Sequence, residues 1–154
     1  MPKIDVSKVF QRKGSLYPAP FGEKAARRIK QGLGDAGGLS DFGVNLTQLP
    51  PGEWSSQRHW HSAEDEFVYV LSGELALITD DGEEILRPGD CAAFPKNQAN
   101  GHHLINKSTG PVVVLEIGTR SAEDVCEYPD IDMRIDSRFG RYTHRDGTPY
   151  PERK

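Results

Sequence analysis

The chain has 154 residues with 19 basic and 23 acidic side chains, which give a formal net charge of −4 and an isoelectric point of about 5.7. This length suits one domain with a proper core, and the acidic balance gives no electrostatic reason to expect a nucleic acid partner. The sequence has no apolar run of about eighteen residues and no apolar leader at its start, so we expect no membrane span and a cytoplasmic location.

Residues 1–41 contain one segment with helix-forming composition, from Glu23 to Gln31. Gly32 and Gly34 follow it, and glycine is typical of the end of a helix. We therefore expect residues 1–41 to form an N-terminal extension with one short helix that packs on the rest of the domain. The basic side chains of this segment are most simply interpreted as a solvated face.

Residues 42–119 form a succession of short β-prone segments that are separated by turn residues. The first of them, Val44–Leu49, stops at two prolines and Gly52, and the glycine in Ser72-Gly73 is suited to a hairpin connection. The remaining segments that we expect to be strands are Ser55–His61, Glu66–Leu71, Glu74–Thr79, Glu83–Leu86, Cys91–Phe94 and Pro111–Ile117. About eight strands at this spacing predict an all-β closed barrel or two-sheet jelly roll that encloses a ligand cavity.

Residues 120–154 are rich in charge and proline, yet they carry more apolar side chains than a disordered tail would. These apolar residues are Tyr128, Ile131, Met133, Ile135, Phe139, Tyr142 and Tyr150. We expect an irregular C-terminal extension that packs along the barrel or on a partner subunit.

Three histidines and one glutamate have spacings that suit a single metal ion. His59 and His61 flank Trp60, and side chains alternate between faces along a strand, so the two imidazoles are expected on one side. Glu66 follows shortly after, and His102 lies in a later segment. Together they predict a site with three imidazoles and one carboxylate that leaves one or two coordination positions free.

Other assignments are compatible with the same residues. Glu64 or Asp65 lies near the same turn and is an alternative carboxylate, while His103 is an alternative to His102 as the third imidazole. If His102 faces inward, His103 should face outward, because they are consecutive in a strand. A single histidine in a half-buried strand is usually a hydrogen-bonded structural residue, so a metal-free barrel is the other interpretation.

The region around these residues resembles the cupin superfamily. The first cupin motif is matched from Gly52 through His59, His61 and Glu66 to Gly73, with six residues instead of about five between the first glycine and the first histidine.

The second cupin motif is matched less completely, by Gly89, Pro95, His102 and Asn106. Six residues separate Pro95 from His102, and no glycine stands two positions after the proline. The interval to Asn106 favours His102 over His103 as the ligand.

The resemblance covers about half of the chain and implies a double-stranded β-helix, or jelly-roll barrel, over residues 42–119. It implies His59, His61, Glu66 and His102 as ligands of one divalent transition metal ion, which could be Zn, Mn, Fe or Ni. It also implies a homodimer. Within the superfamily the chain looks like small single-domain cupins labelled as sugar-phosphate-isomerase-like.

Cupin motifs occur in isomerases, lyases, dioxygenases and binding proteins, so the motif does not select a reaction. We favour a metal-dependent enzyme, isomerase-like, that acts on a small polar oxygenated molecule such as a sugar, a sugar phosphate or an oxo acid. A non-catalytic small-molecule binding or sensing protein and an iron-dependent dioxygenase are the alternatives. The catalytic acid or base is not identified by the sequence. Gln57, Arg58 and Asn106 are candidates for contacts to the substrate or to the ligands.

Overall fold

A computed structural model describes residues 3–152 of the chain. The fold is nearly all-β and contains thirteen strands within these residues. In chain order the strands are Gln11–Lys13 (β1), Ile29–Gly32 (β2), Phe42–Leu49 (β3), Trp60–His61 (β4), Glu66–Ser72 (β5), Leu75–Thr79 (β6), Gly82–Leu86 (β7), Cys91–Phe94 (β8), His103–Ile105 (β9), Val112–Thr119 (β10), Val125–Tyr128 (β11), Met133–Asp136 (β12) and Arg141–Thr143 (β13). Helical structure is limited to 3-10 turns at Val6–Lys8 and Glu23–Ala25 and to the short helix Leu33–Ala36 (α1).

The strands form three antiparallel sheets with the orders β1-β2-β3-β10-β5-β8, β13-β12-β11-β4 and β7-β6-β9. An isolated bridge between His59 and His102 connects the second sheet to the third, so these two sheets together make a second layer opposite the six-stranded sheet. Of the two architectures expected, the strand pairing fits the two-sheet jelly roll; within residues 3–152 it does not run round a closed barrel.

The main core lies between the six-stranded sheet and the β7-β6-β9 sheet. Alternate residues of β5, Val68 and Val70, point into this core, as do Val112 and Val114 of β10. The opposite layer contributes Leu75, Leu77, Leu86 and Leu104. The period of two that these strands show is the pattern that burial of one face of a sheet requires.

A second cluster of buried residues joins the two ends of the chain. Tyr17 packs edge-on against Tyr128, with ring centroids 5.6 Å apart, and Cys126 and Met133 are buried beside them. This cluster packs the segment before β2 against the three C-terminal strands of the second layer.

Both terminal segments differ from their expected secondary structure. Residues 23–31 do not form one helix: the 3-10 turn at Glu23–Ala25 is followed by strand β2, which pairs with β3 at the edge of the large sheet. Gly32 precedes α1 instead of ending a helix. The C-terminal segment is not irregular, because β11, β12 and β13 form a meander whose first strand pairs with β4.

Among the described helices, none has the length and apolar character that crossing a membrane would require. Both cysteines are free thiols. Cys126 is buried beside His59 and His61, whereas Cys91 is exposed.

Candidate metal centre

The four predicted ligand side chains converge on one point between the layers. His59 and His102 are directly opposite each other across an antiparallel bridge, in which the backbone N–H of each donates to the carbonyl of the other, at 3.1 and 2.8 Å. Residues opposite each other in such a pair project to the same face. His61 reaches that face from two residues further along, and Glu66 reaches it from the six-stranded sheet.

The imidazoles surround a single carboxylate oxygen. The Nε2 atoms of His59, His61 and His102 lie 3.4, 3.5 and 2.8 Å from Oε2 of Glu66. This oxygen is buried, yet its contacts to the three nitrogens do not have hydrogen-bond geometry. Buried polar atoms are nearly always satisfied, so three ring nitrogens around one unsatisfied oxygen fit a cation held among them. Imidazole and carboxylate are donors suited to a divalent transition metal ion.

The outer ring nitrogens of two histidines are held by hydrogen-bond acceptors. Nδ1 of His59 lies 2.9 Å from the carbonyl oxygen of Gln57, and Nδ1 of His61 lies 2.6 Å from Oδ2 of Asp124. A proton on each Nδ1 leaves the lone pair on Nε2, where it faces Glu66, and this is the tautomer that binds a metal ion through Nε2.

His102 is oriented by packing. Its ring stacks on Phe94 with centroids 3.5 Å apart and an interplanar angle of 1°. Its Nδ1 is buried without a hydrogen-bond partner among residues 3–152.

Asp124 was not anticipated from the sequence. It is 2% exposed, and its other carboxylate oxygen accepts a hydrogen bond from the backbone N–H of Ala63 at 2.8 Å. The strand pairing that brings it there joins Cys126 of β11 to His61 of β4. No motif spacing links positions so far apart in the chain, and the only signal in the sequence is an acidic residue just before a β-prone segment.

The alternative carboxylates make contacts outside the Glu66 cluster, although Glu64 lies with His61 and Asp124 in a second group of possible metal ligands. Oε2 of Glu64 lies 3.7 Å from Nδ1 of His61, on the opposite side of that ring from Glu66, and Glu64 accepts a hydrogen bond from the backbone of Ser121 at 2.8 Å. Oδ1 of Asp65 accepts from the backbone N–H of Lys96. Cys126 is a further candidate donor, since its sulfur and one nitrogen from each of His59 and His61 lie within 4.8 Å of one another.

His103 faces away from the cluster, but it is not exposed as its outward orientation implied. Only 5% of it is accessible, because Trp54 covers the ring edge-on at 4.6 Å between centroids. Nδ1 contacts the carbonyl oxygen of Ser56 at 3.1 Å, and burial lowers the pKa of His103 to about 4. It is therefore a neutral structural histidine.

The charge of Glu66 is stabilised by its neighbours. Burial acts to raise its pKa, but the surrounding imidazoles of His59, His102 and His61 outweigh burial and hold the pKa well below its usual range. Glu66 is therefore an anion at neutral pH, which is the state in which a carboxylate binds a metal ion.

The three residues considered as contacts to the substrate or to the ligands form ion pairs and hydrogen bonds within the fold, and one of them contacts His59. Arg58 forms ion pairs with Asp80 and with Asp130, the latter at 2.7 Å, and so ties the C-terminal segment to the β6–β7 turn. Asn106 is fully buried and donates to the carbonyl of Leu49 at 2.7 Å. Gln57 contributes its backbone carbonyl to His59, while its side chain donates to the carbonyl of Phe21.

Two cavities, of about 400 and about 230 Å³, border the cluster. They have His61, Glu64, Glu66, Phe94 and His102 in common. The larger cavity extends along the inner face of β10, β3 and β2 towards the N-terminal strands and has a polar wall. In that wall Glu116 pairs with Lys30 at 2.5 Å and accepts a hydrogen bond from Thr47 at 2.9 Å.

Comparisons with known proteins agree with this architecture. The cupin domain family model matches residues 45–118. A crystal structure of a sugar phosphate isomerase of the cupin superfamily from Silicibacter pomeroyi is 44% identical, covers 97% of each chain and superposes with a TM-score of 0.91. A provisionally named sugar phosphate isomerase from Acidithiobacillus ferrooxidans is 34% identical over 90% of this chain and 86% of that chain, with a TM-score of 0.76.

More distant structures share the fold alone. A polyketide cyclase from Streptomyces resistomycificus is 18% identical over 77% of this chain and 79% of that chain, with a TM-score of 0.61. No match was found among curated proteins. The family match, the 44% identity over nearly the full length and the common fold show that this chain belongs to the cupin superfamily.

Proposed function

We propose that this cupin is a metal-dependent enzyme, isomerase-like, that acts on a small polar oxygenated substrate such as a sugar, a sugar phosphate or an oxo acid. The observation that carries the proposal is the convergence of three Nε2 atoms on one unsatisfied oxygen of Glu66, at the edge of a cavity with a polar wall. The names of the two most similar structures described above support the reaction class.

In this proposal His59, His61, Glu66 and His102 hold one divalent transition metal ion, whose identity among Zn, Mn, Fe and Ni is open. When bound, such an ion polarises oxygen atoms of the substrate and lowers the pKa of a neighbouring substrate proton.

The protein side chains would orient the substrate and move the proton. Asn45, Tyr17 and Tyr142 line the larger cavity and offer hydrogen-bonding groups to a polyhydroxylated molecule. Glu64 and Glu116 are carboxylates in the same wall that do not belong to the ligand set. A proton transfer between neighbouring substrate carbons needs a base within hydrogen-bond reach, so we infer that one of these two carboxylates supplies it.

The first experiment is elemental mass spectrometry of the full-length protein purified without chelators, on wild type, His61→Ala and His144→Ala. Wild type and His144→Ala should contain about one equivalent of a transition metal, because His144 pairs with Asp132 and is in none of the candidate ligand groups. His61→Ala should contain far less, because it lacks a proposed ligand. Stoichiometric metal in His61→Ala would contradict the ligand assignment. The absence of metal from wild type, even after reconstitution, would favour a metal-free binding protein.

The reaction class is tested by incubation of the metal-containing protein with aldose and ketose phosphates in deuterium oxide. An isomerase that moves a proton exchanges it with solvent, so deuterium should enter the substrate carbon and be detected by NMR. Turnover that requires oxygen and iron would instead favour a dioxygenase, and binding without exchange would favour a sensing protein.

A further inference from the structure

The end of the larger cavity that is formed by the N-terminal strands carries an excess of positive charge. Arg12 of β1 and Lys30 of β2 are directly opposite each other in the strand register, and both line the cavity. Like charges directly opposite each other in a sheet destabilise it. This arrangement is favourable only where something negative lies between them.

Arg28 adds a third cation to the same cavity wall. It is 5% exposed, and its terminal nitrogens donate to the carbonyl oxygens of Ser55 and Gly14, the latter at 3.0 Å. Within the part of the chain that the structure describes, its Nε has no hydrogen-bond partner. Burial lowers the pKa of Arg28, while the negative charge of Glu116 counteracts this and the positive charge of Arg12 adds to it.

Carboxylates neutralise only some of the positive charges in this wall. Glu116 pairs with Lys30, but among residues 3–152 no carboxylate forms an ion pair with Arg12 or with Arg28. Arg120 also lines the cavity, and Asp35 pairs with it. Arg12 is exposed, but Arg28 is buried with carbonyl oxygens as its acceptors and no carboxylate paired with it among the described residues. A buried charge without a counter-ion is costly, so the wall favours an anion supplied from outside the protein.

We propose that Arg12, Arg28 and Lys30 form a subsite for a phosphate group of the substrate, in the same cavity that borders the His59–His61–Glu66–His102 cluster. The identification of the ligand as a phosphorylated sugar rests on the proposed function, whereas the anion subsite itself rests on the cavity wall. Phosphate is favoured over carboxylate because its greater negative charge suits three cations and its oxygens suit planar guanidinium groups. All three residues lie outside residues 45–118, so the subsite belongs to the N-terminal extension.

Calorimetric titration of the full-length protein tests the subsite. Inorganic phosphate, glucose 6-phosphate, glucose and gluconate are titrated at constant ionic strength into wild type, Arg12→Gln, Lys30→Gln and the control Arg87→Gln. Arg87 is an exposed arginine that pairs with Glu74 and does not line the cavity. Arg12→Gln should weaken the binding of both phosphates by about tenfold or more, because a charge-assisted contact is lost. Arg87→Gln should bind as wild type does, and equal melting temperatures establish that the variants are folded.

The titrations also separate this subsite from the metal centre. His61→Ala should retain phosphate binding to within about twofold; loss of binding in that variant would assign the anion to the histidine cluster and overturn the proposal. Phosphate affinity that is unchanged in both Arg12→Gln and Lys30→Gln, or gluconate binding as tight as that of glucose 6-phosphate, would also overturn it. Arginine-dependent phosphate binding by a wild-type protein that holds no metal would support the subsite while contradicting the proposed metal-dependent function.

Discussion

At the scale of single residues, the contact between Asp124 and His61 links the C-terminal segment to the candidate metal centre. The 2.6 Å contact joins a carboxylate that is nearly inaccessible to a ring that faces Glu66 through its other nitrogen. A carboxylate in this position fixes the tautomer and the direction of the imidazole and raises its basicity as a ligand. The family's shared domain, which ends at residue 118, does not include this residue.

Replacement of Asp124 by Asn should therefore weaken metal binding without removing a predicted ligand. We expect the affinity for the metal to fall by roughly 10–100-fold, the range typical for loss of a carboxylate that supports a ligand histidine. Competition against a chromophoric chelator measures this affinity independently of activity. The matched control is Asp132→Asn, which removes the carboxylate 2.8 Å from His144, a histidine outside the candidate ligand groups. Equal metal affinity in Asp124→Asn and wild type would show that Asp124 is only a packing residue.

At the scale of elements, the turn between β5 and β6 carries the chain from the six-stranded sheet to the β7-β6-β9 sheet and does not form the hairpin expected at Ser72-Gly73. Gly73 in this turn has a φ of +80°, and a Cβ at this position would lie 2.5 Å from the carbonyl oxygen of Pro111 and 2.9 Å from a methyl group of Val112. The turn therefore requires glycine both for its backbone conformation and for its close approach to β10.

Gly73→Ala should be more destabilising than a substitution that strains the backbone alone. Gly38 has a similar φ of +75° and no atom within 4 Å of an added Cβ, so Gly38→Ala isolates the conformational cost, about 1–3 kcal/mol. Overpacking against β10 should add about 1–3 kcal/mol in Gly73→Ala. Chemical denaturation of both variants measures the difference in the free energy of unfolding. Equal destabilisation would mean that β10 moves away at no cost.

At the scale of the whole molecule, the outer face of the six-stranded sheet is unusually apolar. Tyr69 and Leu71 of β5 are 38% and 44% exposed, and Leu115 of β10 is paired with Leu46 on one side and Tyr69 on the other. Residues normally alternate along an antiparallel strand, so that those on the solvated face are polar. A contiguous apolar patch on that face indicates an interaction surface. We propose that a second copy of the chain covers this face, in line with the expected homodimer.

Light scattering of the eluting protein should then give about twice the chain mass of 17.1 kDa. Tyr69→Glu should shift the protein towards the monomer, because a charge would be buried in the interface. Phe139→Glu provides the control, since Phe139 is 71% exposed at the tip of the C-terminal meander, away from this sheet. A wild-type monomer at micromolar concentration would contradict the proposal.

Local spacing along the chain was sufficient for the positions of β3, β5 to β8 and β10, for the jelly-roll class and for the four side chains that converge. These features follow from periods of two and from short motifs, which depend only on neighbouring residues. Of the strand expected at Ser55–His61, only Trp60–His61 is a strand. The helix expected at residues 23–31 was wrong because pairing with β3 outweighed helix-forming composition in β2. Only the folded structure identified the contact of Asp124 with His61, the packing of Trp54 over His103 and the three cations that line one cavity wall. Each of these contacts joins strands or loops that are distant in sequence, and no local pattern encodes which distant segments become neighbours.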